Sequence, residues 1–264
     1  MPKATKRERQ RQNRDARREA MLAAERRQRR FRTGRTIVLI VLALVALLVV
    51  LQLTRSDDDS DSETASASAA PTNFATTCDT ALPEKAAKTT LPKPGMAIDT
   101  AEQYTAVLHT TEGDVTIDLD AAGSPKTVNS FVYLACKGFY NGTTFHRIVT
   151  DFVDQGGDPK GDGTGGPGYR LPDEPPADGY TAGSVAMANS GPGTTGSQFF
   201  LVVSENGAQQ LNSSGSDPYL YSNLGTMDAA GLQVAQLINT FGSADGGGTP
   251  TKTVTINGVT VTAS

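Results

Sequence analysis

The sequence predicts a mainly β domain, a barrel or sandwich plugged by two helices, which follows a transmembrane helix and a flexible linker. Three observations predict this arrangement. Residues 36–53 form an uncharged apolar run, and the residues that follow are rich in Asp, Ser, Thr and Ala. From residue 98 onward, short apolar runs alternate with long Gly- and Pro-rich stretches, and only two segments have a helical spacing of apolar residues. We therefore divide the chain into a tail, a span, a linker and a domain, at residues 1–35, 36–53, 54–97 and 98–264.

The basic tail and the apolar run set the expected topology. Residues 1–35 contain 14 Lys or Arg against 4 Asp or Glu, and the 18-residue run 36–53 has only Thr36 and Gln52 as polar members. A run of this length matches a membrane-crossing helix. Because Lys and Arg beside a span are retained in the cytoplasm, we expect a single-pass protein of the cell membrane with a cytoplasmic N-terminus and an extracytoplasmic domain. The tail then contacts anionic lipid headgroups, which we favour over a nucleic-acid-binding arm.

A cleaved signal peptide is the alternative to a membrane anchor. Its candidate cleavage sites, Ala65–Ala67 and Ala67–Ala69, lie more than ten residues beyond the apolar run, which is itself longer than a usual signal core. The residues after the run offer almost no apolar side chain to bury as far as residue 73. We expect residues 54–97 to form an extended, flexible linker.

The domain is predicted to begin with a hairpin and a helix. Tyr104–His109 and Asp114–Leu119 flank a turn that contains glycine, and the second of them has apolar residues at alternate positions, as a half-buried strand requires. Ser124 supplies an N-cap oxygen, and Pro125 suits the first helical position because its missing N–H is not needed there. The apolar residues that follow fall on one helical face as far as Ala135.

The later elements are shorter and more widely spaced. Further strands are predicted at Thr144–Ile148, Ser184–Met187 and Phe199–Val203, and a strand or hairpin at Thr253–Thr262. A second helix is predicted from after Asp228 to about residue 240. The apolar residues of its inner face are Val234, Leu237, Ile238 and Phe241.

The segment Phe145–Asp158 carries the candidate chemistry. It combines one permanently charged guanidinium, that of Arg147, with the ring of Phe152, the neutral amide of Gln155 and two glycines, but offers no nucleophile. His146 invites assignment as a base, yet beside an arginine we interpret it as a structural residue. A charged donor next to an apolar wall indicates catalysis of a conformational change rather than of a proton transfer.

Two motifs carry a family resemblance. Phe145–Arg147 leads to Gln155–Asp158, and Met187–Pro192 leads in the same order and spacing to Gly196–Phe200. Over about residues 104–254 the chain resembles the cyclophilin-type peptidyl-prolyl cis-trans isomerases, in a membrane-anchored, actinobacterial-like form. The resemblance implies a closed eight-stranded antiparallel β-barrel capped by two α-helices, with isomerisation of X-Pro bonds as its activity.

The resemblance also implies a role for each residue of the two motifs. Arg147 donates to the prolyl nitrogen as the bond twists, which favours the transition state, and Gln155 orients Arg147. Asn189 bonds the peptide backbone, and Gln198 lies near the substrate carbonyl. The apolar pocket for the proline ring and the groove beside it are implied to include Phe152, Val153, Ala188 and Phe200.

The chain departs from the family between Ser204 and Asn223. This segment is rich in Ser and Asn, and the chain has no Trp, whereas many cyclophilins present Trp-Leu here. Tyr221 falls where the family has a pocket His, and we place it in the pocket wall. Asp217 falls where the family has a pocket Leu, so Tyr219 or Leu220 is expected to complete the pocket. The departure leaves the binding of a cyclosporin-like ligand open.

The two cysteines, Cys78 and Cys136, both lie on the side that we place outside the membrane. Oxidising conditions there favour a disulfide between them, with two free thiols as the alternative. Two cysteines without a nearby His do not make a zinc site. The G-x-G-x-x-G stretches at 161–166 and 191–196 do not lie between a buried strand and a helix, so we predict neither a metal nor a cofactor.

We expect a peptidyl-prolyl cis-trans isomerase that acts on proline-containing polypeptides and assists the folding of exported proteins. The alternative is a module that binds proline-containing segments as a chaperone or scaffold with weak catalysis. A third interpretation makes the basic tail a recruiter of cytoplasmic partners. Retention of Arg147 favours the enzyme, whereas the unusual segment 204–223 favours the binding module.

Overall fold

The computed structural model describes residues 76–78, 89–213, 221–243 and 248–264. All of them belong to one of the two units into which the chain divides, Ser66–Ser264. The predicted tail, the predicted membrane span and most of the predicted linker lie outside the described residues. Among the described residues, no helix combines the length and the apolar character that a membrane crossing needs.

Nine strands of the described residues form one antiparallel sheet, which confirms the mainly β class. In chain order they are β1 (Tyr104–Thr110), β2 (Gly113–Leu119), β3 (Thr143–Thr144), β4 (Arg147–Val149), β5 (Val153–Gly156), β6 (Ser184–Met187), β7 (Phe199–Val202), β8 (Asn223–Met227) and β9 (Thr255–Ala263). Their spatial order is β3-β9-β1-β2-β8-β6-β7-β5-β4. The first and last strands of the sequence therefore lie side by side.

The predicted first hairpin is confirmed. β1 pairs with β2 along its whole length, with Tyr104 opposite Leu119. The other side of β1 pairs with β9, with Tyr104 opposite Ala263. Tyr104, Ala106 and Leu108 alternate with half-buried residues and are themselves buried, so one face of this part of the sheet lies on the core.

The two edge strands of the sheet are neighbours in the sequence. The predicted strand Thr144–Ile148 is interrupted at Phe145 and His146, because Phe145 turns its ring into the core, and the pieces become β3 and β4. The described residues therefore contain nine strands, where the resemblance implies eight. The ladders of the described residues show a curled sheet, and a single bridge from Thr144 to Asp158 links the β3 edge to the chain just beyond β5.

Three helices accompany the sheet in the described part of the chain: α1 (Pro125–Cys136), α2 (Glu205–Ser213) and α3 (Ala229–Asn239). The first and third are the predicted helices. The prediction of only two helices is wrong, because α2 lies within the departing segment 204–223. Apart from one Ala and Leu211, which turn inward, α2 consists of Gly and polar residues, so its apolar periodicity is too sparse to read from the sequence.

The two predicted helices begin differently. Asp228 caps α3 by accepting a hydrogen bond from a backbone N–H of its first turn. Ser124 is the N-cap residue of α1 as predicted, but the prediction that its oxygen caps the helix is wrong, because Ser124 Oγ donates instead to Glu174 O at 3.2 Å. The Glu174 carboxylate replaces it and accepts hydrogen bonds from Lys126 N at 3.2 Å and Thr127 N at 2.8 Å. A distant loop thus satisfies the first free donors of α1.

The main core packs α1 and α3 against the sheet. Aromatic rings with centroid separations of 5.2 to 6.3 Å fill its centre: Phe131, Tyr140, Phe145 and Phe199. On α3, Ile238 is buried as predicted. Leu237 is 46% exposed, so its assignment to the inner face is wrong. It lies 100° around the helix from Ile238, and Ala235 and Asn239 complete the buried face instead.

Residues 89–98, which we call the strap, contact the domain although most of them were expected to belong to the linker. Leu91 N donates to Pro167 O at 2.8 Å. Asn129 of α1 holds the other end of the strap, because its Oδ1 accepts hydrogen bonds that include one from Ile98 N at 3.2 Å. Fixed contacts thus begin before the predicted start of the domain.

The chain is also joined to the domain upstream of the strap. Cys78 and Cys136 form a disulfide, with their Cα atoms 5.5 Å apart. Cys78 N donates to Val261 O at 2.8 Å. The segment around Cys78 is therefore connected both to the end of α1 and to β9.

Candidate active site

Arg147 and Gln155 face each other on the neighbouring strands β4 and β5. Arg147 Nη1 lies 3.5 Å from Gln155 Oε1, a long hydrogen bond that aims the guanidinium. Gly248 lies against the other side of the Arg147 side chain. The contact is so close that a Cβ atom at position 248 would come within 2.7 Å of Arg147 Cγ. The half-buried arginine stem is thus held between the amide and a glycine, which leaves the guanidinium at a cavity rim.

A relay of amides fixes the orientation of Gln155. Gln155 Nε2 donates to Gln198 Oε1 at 3.0 Å. Gln198 Nε2 in turn donates to the carbonyl oxygens of Gly163 at 3.0 Å and Gly165 at 2.9 Å. Because each amide donates along the relay, Gln155 keeps its oxygen toward Arg147.

A cavity of about 100 Å³ lies beside this pair. Eight of its nine lining residues were predicted from the sequence to belong to the site, and the structure brings them together from five different segments. The lining residues are Arg147, Phe152, Val153, Gln155, Ala188, Asn189, Phe200, Leu211 and Tyr221. Gln198 lies behind them, in contact with Gln155.

The far wall of the cavity comes from the departing segment. Leu211 of α2 lines it and is only 8% exposed, a residue that the sequence analysis missed. Tyr221 lines it too and meets Phe200 edge to face, with centroids 5.1 Å apart and ring planes at 87°. Tyr180 OH donates to Tyr221 O at 2.6 Å and fixes that backbone. The alternatives Asp217, Tyr219 and Leu220 lie outside the described residues.

The turn between β4 and β5 carries Phe152 and is anchored from two sides. Asp151 has φ 56°, which places a non-glycine residue in the left-handed region. Asn239 of α3 accepts a hydrogen bond from Asp151 N at 2.9 Å. From the α2 side, Ser204 Oγ donates to Asp151 O at 2.8 Å, and Asn206 Nδ2 donates to Asp151 Oδ2 at 2.8 Å. Both helices therefore hold the Phe152 side chain in the wall.

A buried carboxyl lies directly behind the site. Asp154 is 0% exposed, and its Oδ1 accepts a hydrogen bond from Asn239 Nδ2 at 2.7 Å. Its Oδ2 has no hydrogen-bond partner. Burial raises the pKa of Asp154 from 3.8 to about 8, so the side chain is mainly a neutral acid at pH 7.

Asn189 offers a donor to a ligand. Its Nδ2 is buried and has no hydrogen-bond partner, while its Oδ1 accepts a hydrogen bond from Gly191 N at 3.3 Å. Ala188 N donates to Gln198 O at 2.8 Å and fixes the strand end that carries both residues. An extended peptide beside this strand end would satisfy the free Asn189 donor.

Among the described residues, the cavity lining has no Ser, Thr, Cys or Lys side chain that could act as a nucleophile. His146 lies outside the cavity lining, and burial lowers its pKa, which keeps the ring neutral at pH 7. In the described ranges, no three His, Cys, Asp or Glu residues are grouped as a metal site requires. What the cavity offers is one fixed cation, several amide groups and an apolar wall.

A larger groove adjoins the cavity and shares Gln155, Ala188 and Asn189 with it. The groove has a volume of about 750 Å³ and lies between the Pro159–Arg170 loop and the Ser190–Gln198 loop. Both loops contain many glycines. We call this surface the glycine-rich groove.

The comparisons with known proteins agree on one family. Residues 105–261 match the family model described as cyclophilin type peptidyl-prolyl cis-trans isomerase/CLD. The chain is 41% identical over 196 residues to the probable peptidyl-prolyl cis-trans isomerase B of Mycobacterium tuberculosis, which covers 67% of this chain and 61% of the relative. The chain thus spans about three fifths of that relative's length. It is 39% identical over 178 residues to peptidyl-prolyl cis-trans isomerase A of the same organism, covering 60% of this chain and 91% of the relative.

The solved structures give the same answer for the fold. A crystal structure of a Cryptosporidium parvum cyclophilin type peptidyl-prolyl cis-trans isomerase matches with a TM-score of 0.53 and 26% sequence identity, covering 62% of this chain and 99% of that one. A structure of the same protein in the presence of the dipeptide Ala-Pro matches with a TM-score of 0.53 and covers 61% of this chain.

Proposed function

The chain belongs to the cyclophilin-type peptidyl-prolyl cis-trans isomerase family, and from that membership we propose that it catalyses rotation about X-Pro bonds of polypeptides. One observation carries the proposal. The guanidinium of Arg147, aimed by Gln155, stands at the rim of an apolar cavity. Crystals of the Cryptosporidium parvum relative in the presence of Ala-Pro support a proline-containing substrate.

The chemistry requires no proton transfer. Amide resonance sets a barrier of about 18–20 kcal/mol to rotation. When the bond twists, the prolyl nitrogen regains its lone pair, and a donor placed at that nitrogen stabilises the twisted state more than either planar state. Arg147 supplies this donor, since its guanidinium stays charged and its fork of N–H groups is rigid.

The remaining site residues hold the substrate in register for that donor. Phe152, Val153, Phe200, Leu211 and Tyr221 would enclose the proline ring and exclude water, which strengthens the interaction with the nearby guanidinium. The free Nδ2 of Asn189 would bind a peptide carbonyl, and the Gln155–Gln198 relay would face the prolyl carbonyl. These contacts fix one side of the bond while the other side rotates.

Replacement of Arg147 tests the proposal on the full-length chain. We expect Arg147→Ala to lower kcat/KM for a proline peptide by about 100-fold or more, the usual effect of removing a preorganised donor. Arg147→Lys should restore little, because an ammonium group lacks the planar fork. Lys137→Ala, which removes an exposed cation that lines neither the proline cavity nor the glycine-rich groove, is the control. Turnover that is absent in the parent, or undiminished in Arg147→Ala, would reject the enzyme.

The second candidate function is a module that binds proline-containing segments as a chaperone or scaffold. The described part of the cavity wall supports it, because an apolar cavity lined by Leu211 and Tyr221 can bind a proline ring whether or not rotation follows. Tight peptide binding without turnover in the parent chain would favour this function. Competition with a cyclosporin-like ligand tests in addition whether the changed wall accepts such a molecule.

We extend the proposal to the architecture of the sheet. The bridge between Thr144 and Asp158 supports closure of the curled sheet into a barrel, because it links the β3 edge to the chain just beyond β5, the neighbour of the opposite edge strand β4. Slow amide exchange at this seam in solution would support closure. Exchange as fast as that of an exposed edge strand would argue against it.

We further propose that residues 36–53 anchor the protein in the cell membrane, with the isomerase domain outside and exported polypeptides as its substrates. The uncharged apolar run and the basic residues before it support this topology. Protease added to intact cells should degrade the domain and leave residues 1–35 protected. A protected domain would overturn the topology, and a shortened N-terminus would favour a cleaved signal peptide.

A further inference from the structure

The strand that carries two residues of the cavity lining also carries a buried acid on its opposite face. Val153 and Gln155 of β5 line the proline cavity, and Asp154 lies between them in the chain. Because the side chains of a strand alternate between its two faces, Asp154 points away from the cavity. Its neighbours across the sheet are Ile148 of β4 and Leu201 of β7, which are both fully buried. Asp154 therefore occupies a core position.

In the described part of the chain, the elements that pack against β5 bring no countercharge to Asp154. These elements are β4, β7 and α3, and neither β7 nor α3 contains a titratable side chain. β4 contains Arg147, which lies opposite Gln155 and therefore on the cavity face. The turn between β4 and β5 contains Asp151, whose carboxylate accepts a hydrogen bond from Asn206 Nδ2 at 2.8 Å. A negative charge on Asp154 would thus stay uncompensated.

Asn239, the last residue of α3, joins this acid to the hairpin of β4 and β5. Its Nδ2 donates to Asp154 Oδ1 at 2.7 Å and to Val149 O at 3.0 Å. Its Oδ1 accepts a hydrogen bond from Asp151 N at 2.9 Å. Both N–H groups and the oxygen of the amide are engaged. One buried side chain thus connects the end of β4, the middle of β5 and the turn that carries Phe152.

This arrangement accommodates the neutral form of Asp154. Burial raises the pKa of Asp154 to about 8, and its buried Oδ2 has no hydrogen-bond partner. Once the proton leaves, one hydrogen bond from Asn239 does not offset the cost of a buried charge, so the carboxylate must reach water. Because the side chain is fully buried, access of water requires the packing of α3 against the hairpin to open. The contacts of Asn239 would then be lost together.

We propose that Asp154 and Asn239 are positioning residues of the isomerase site, and that ionisation of Asp154 loosens the hairpin of β4 and β5 and lowers turnover. The inference rests on the proposed isomerase function, because the hairpin places the Arg147 guanidinium and the Phe152 ring. Asp154 and Asn239 do not line the cavity, so both act through the hairpin. The site is active while Asp154 carries its proton, and activity is lost as the pH rises through about 8.

The pH dependence of turnover tests the proposal on the full-length chain. The substrate is a blocked Ala-Pro peptide without ionisable groups, and isomerisation is followed without a coupling protease. We expect kcat/KM to fall about tenfold between about pH 7 and pH 9, because the neutral fraction of an acid with a pKa of about 8 falls by that factor. Asp154→Asn keeps the shape of the neutral acid and cannot ionise, so its profile should be flat. An equal fall in Asp154→Asn would overturn the proposal.

Two ionisable neighbours of the site do not titrate in this window. Burial lowers the pKa of His146 and raises that of Tyr180, so both side chains stay neutral between about pH 7 and pH 9. Asp178→Asn, at an exposed position, should keep the fall of the parent. Circular dichroism at each pH verifies that the chain remains folded. A flat profile in the folded parent would overturn the proposal.

A spectroscopic readout separates positioning from turnover. In NMR spectra, the ring signals of Phe152 and the Nε–H signal of Arg147 should shift with the same midpoint as the Asp154 carboxyl carbon, and they should not shift in Asp154→Asn. Asn239→Ala should remove this shared midpoint and lower kcat/KM about tenfold at pH 7. Gln233→Ala, which removes an exposed amide from the same helix, should change neither readout. Equal effects of the two amide substitutions would overturn the role of Asn239.

The two readouts keep this proposal distinct from the isomerase function. Phe152 and Arg147 signals that follow Asp154 in a parent chain without turnover would support the positioning and reject the enzyme. Turnover that Arg147→Ala abolishes, with signals and kcat/KM that do not follow Asp154, would support the enzyme and reject the positioning.

Discussion

At Arg147 the guanidinium is aimed by contacts made to its stem and to one of its nitrogens. Gln155 accepts from Nη1 at 3.5 Å, and the absent side chain of Gly248 leaves room for Cγ. Gln155 is held in turn by Gln198. A donor that must meet the prolyl nitrogen only in the twisted state depends on this support, because a misplaced group loses most of its effect.

The first prediction for a single residue concerns Leu211. We expect Leu211→Ala to raise KM for a proline peptide by about tenfold while kcat changes little, since a shortened wall weakens binding of the ring in both planar and twisted states. Leu237→Ala is the matched control, because Leu237 is a helical leucine that is 46% exposed. Both variants are first checked for folding by circular dichroism. An unchanged KM in folded Leu211→Ala would remove Leu211 from the pocket.

Most of the cavity could be predicted because its residues lie within two short motifs. The first motif spans the hairpin of β4 and β5, so Arg147 and Gln155 are brought opposite each other by residues close in sequence. Leu211 could not be predicted, since it belongs to a helix whose sequence is mostly polar and whose only large apolar side chain has just the small Ala208 as an apolar companion on the buried face. Counting positions from the family pattern fails where the path of the chain changes.

Among the elements, the β4–β5 hairpin depends most on its neighbours. Asn239 donates to Val149 O at 3.0 Å and to Asp154 Oδ1 at 2.7 Å, and it accepts from Asp151 N. One amide of α3 thus holds both strands and the turn between them. The position of Phe152 in the cavity wall is therefore set by a helix that does not line the cavity.

Asp154 makes the stability of this arrangement depend on pH. The folded state keeps its proton up to about pH 8, whereas the unfolded carboxyl loses it near its ordinary pKa of 3.8. Because the unfolded state binds fewer protons between these values, the contribution of Asp154 to stability is fully present below about pH 4. It is lost as the pH rises through about 8.

Urea unfolding at several pH values checks this dependence. Between about pH 5 and pH 8 we expect the free energy of unfolding to fall by about 4 kcal/mol more in the parent than in Asp154→Asn. Asp178→Asn, at an exposed position, should follow the parent. Parallel pH profiles for the parent and Asp154→Asn would contradict the burial of a neutral acid.

Helix α1 provides a second prediction for an element. The Glu174 carboxylate accepts from Lys126 N and Thr127 N, so Glu174→Ala should lower the free energy of unfolding by about 1–2 kcal/mol, as the loss of a cap does. The comparison is Glu205→Ala, which removes an exposed carboxylate from the first turn of α2. Equal effects of the two substitutions would show that helix-dipole attraction alone accounts for the loss.

For the whole molecule, the disulfide between Cys78 and Cys136 joins a segment upstream of the family domain to α1. In the chain-entropy model, a closed loop of 58 residues stabilises the folded state by about 4 kcal/mol. We expect reductant to lower the free energy of unfolding by that amount in the parent and to leave Cys78→Ser/Cys136→Ser unaffected. Two free thiols in the unreduced protein would contradict the pairing.

The outline of the whole fold could be predicted from the sequence. The features that could not be predicted depend on contacts between residues that are far apart in the sequence. The first hairpin and two of the helices depend on residues close in sequence, and all three elements appear where the periodicity places them. β5 and β8 are too short to show alternation, and the Glu174 cap and the strap depend on contacts between distant segments. No local pattern encodes such contacts.

The pairing of β1 with β9 governs the order in which the domain can form. β1 can fold against β2 as soon as both have emerged, but its other edge waits for Thr255–Ala263, about 150 residues later. At synthesis rates of about 5–20 residues per second, that edge stays open for roughly 8–30 s. An exposed strand edge can recruit foreign strands. A protein proposed to assist the folding of others therefore completes its own sheet only after Thr255–Ala263 has been made.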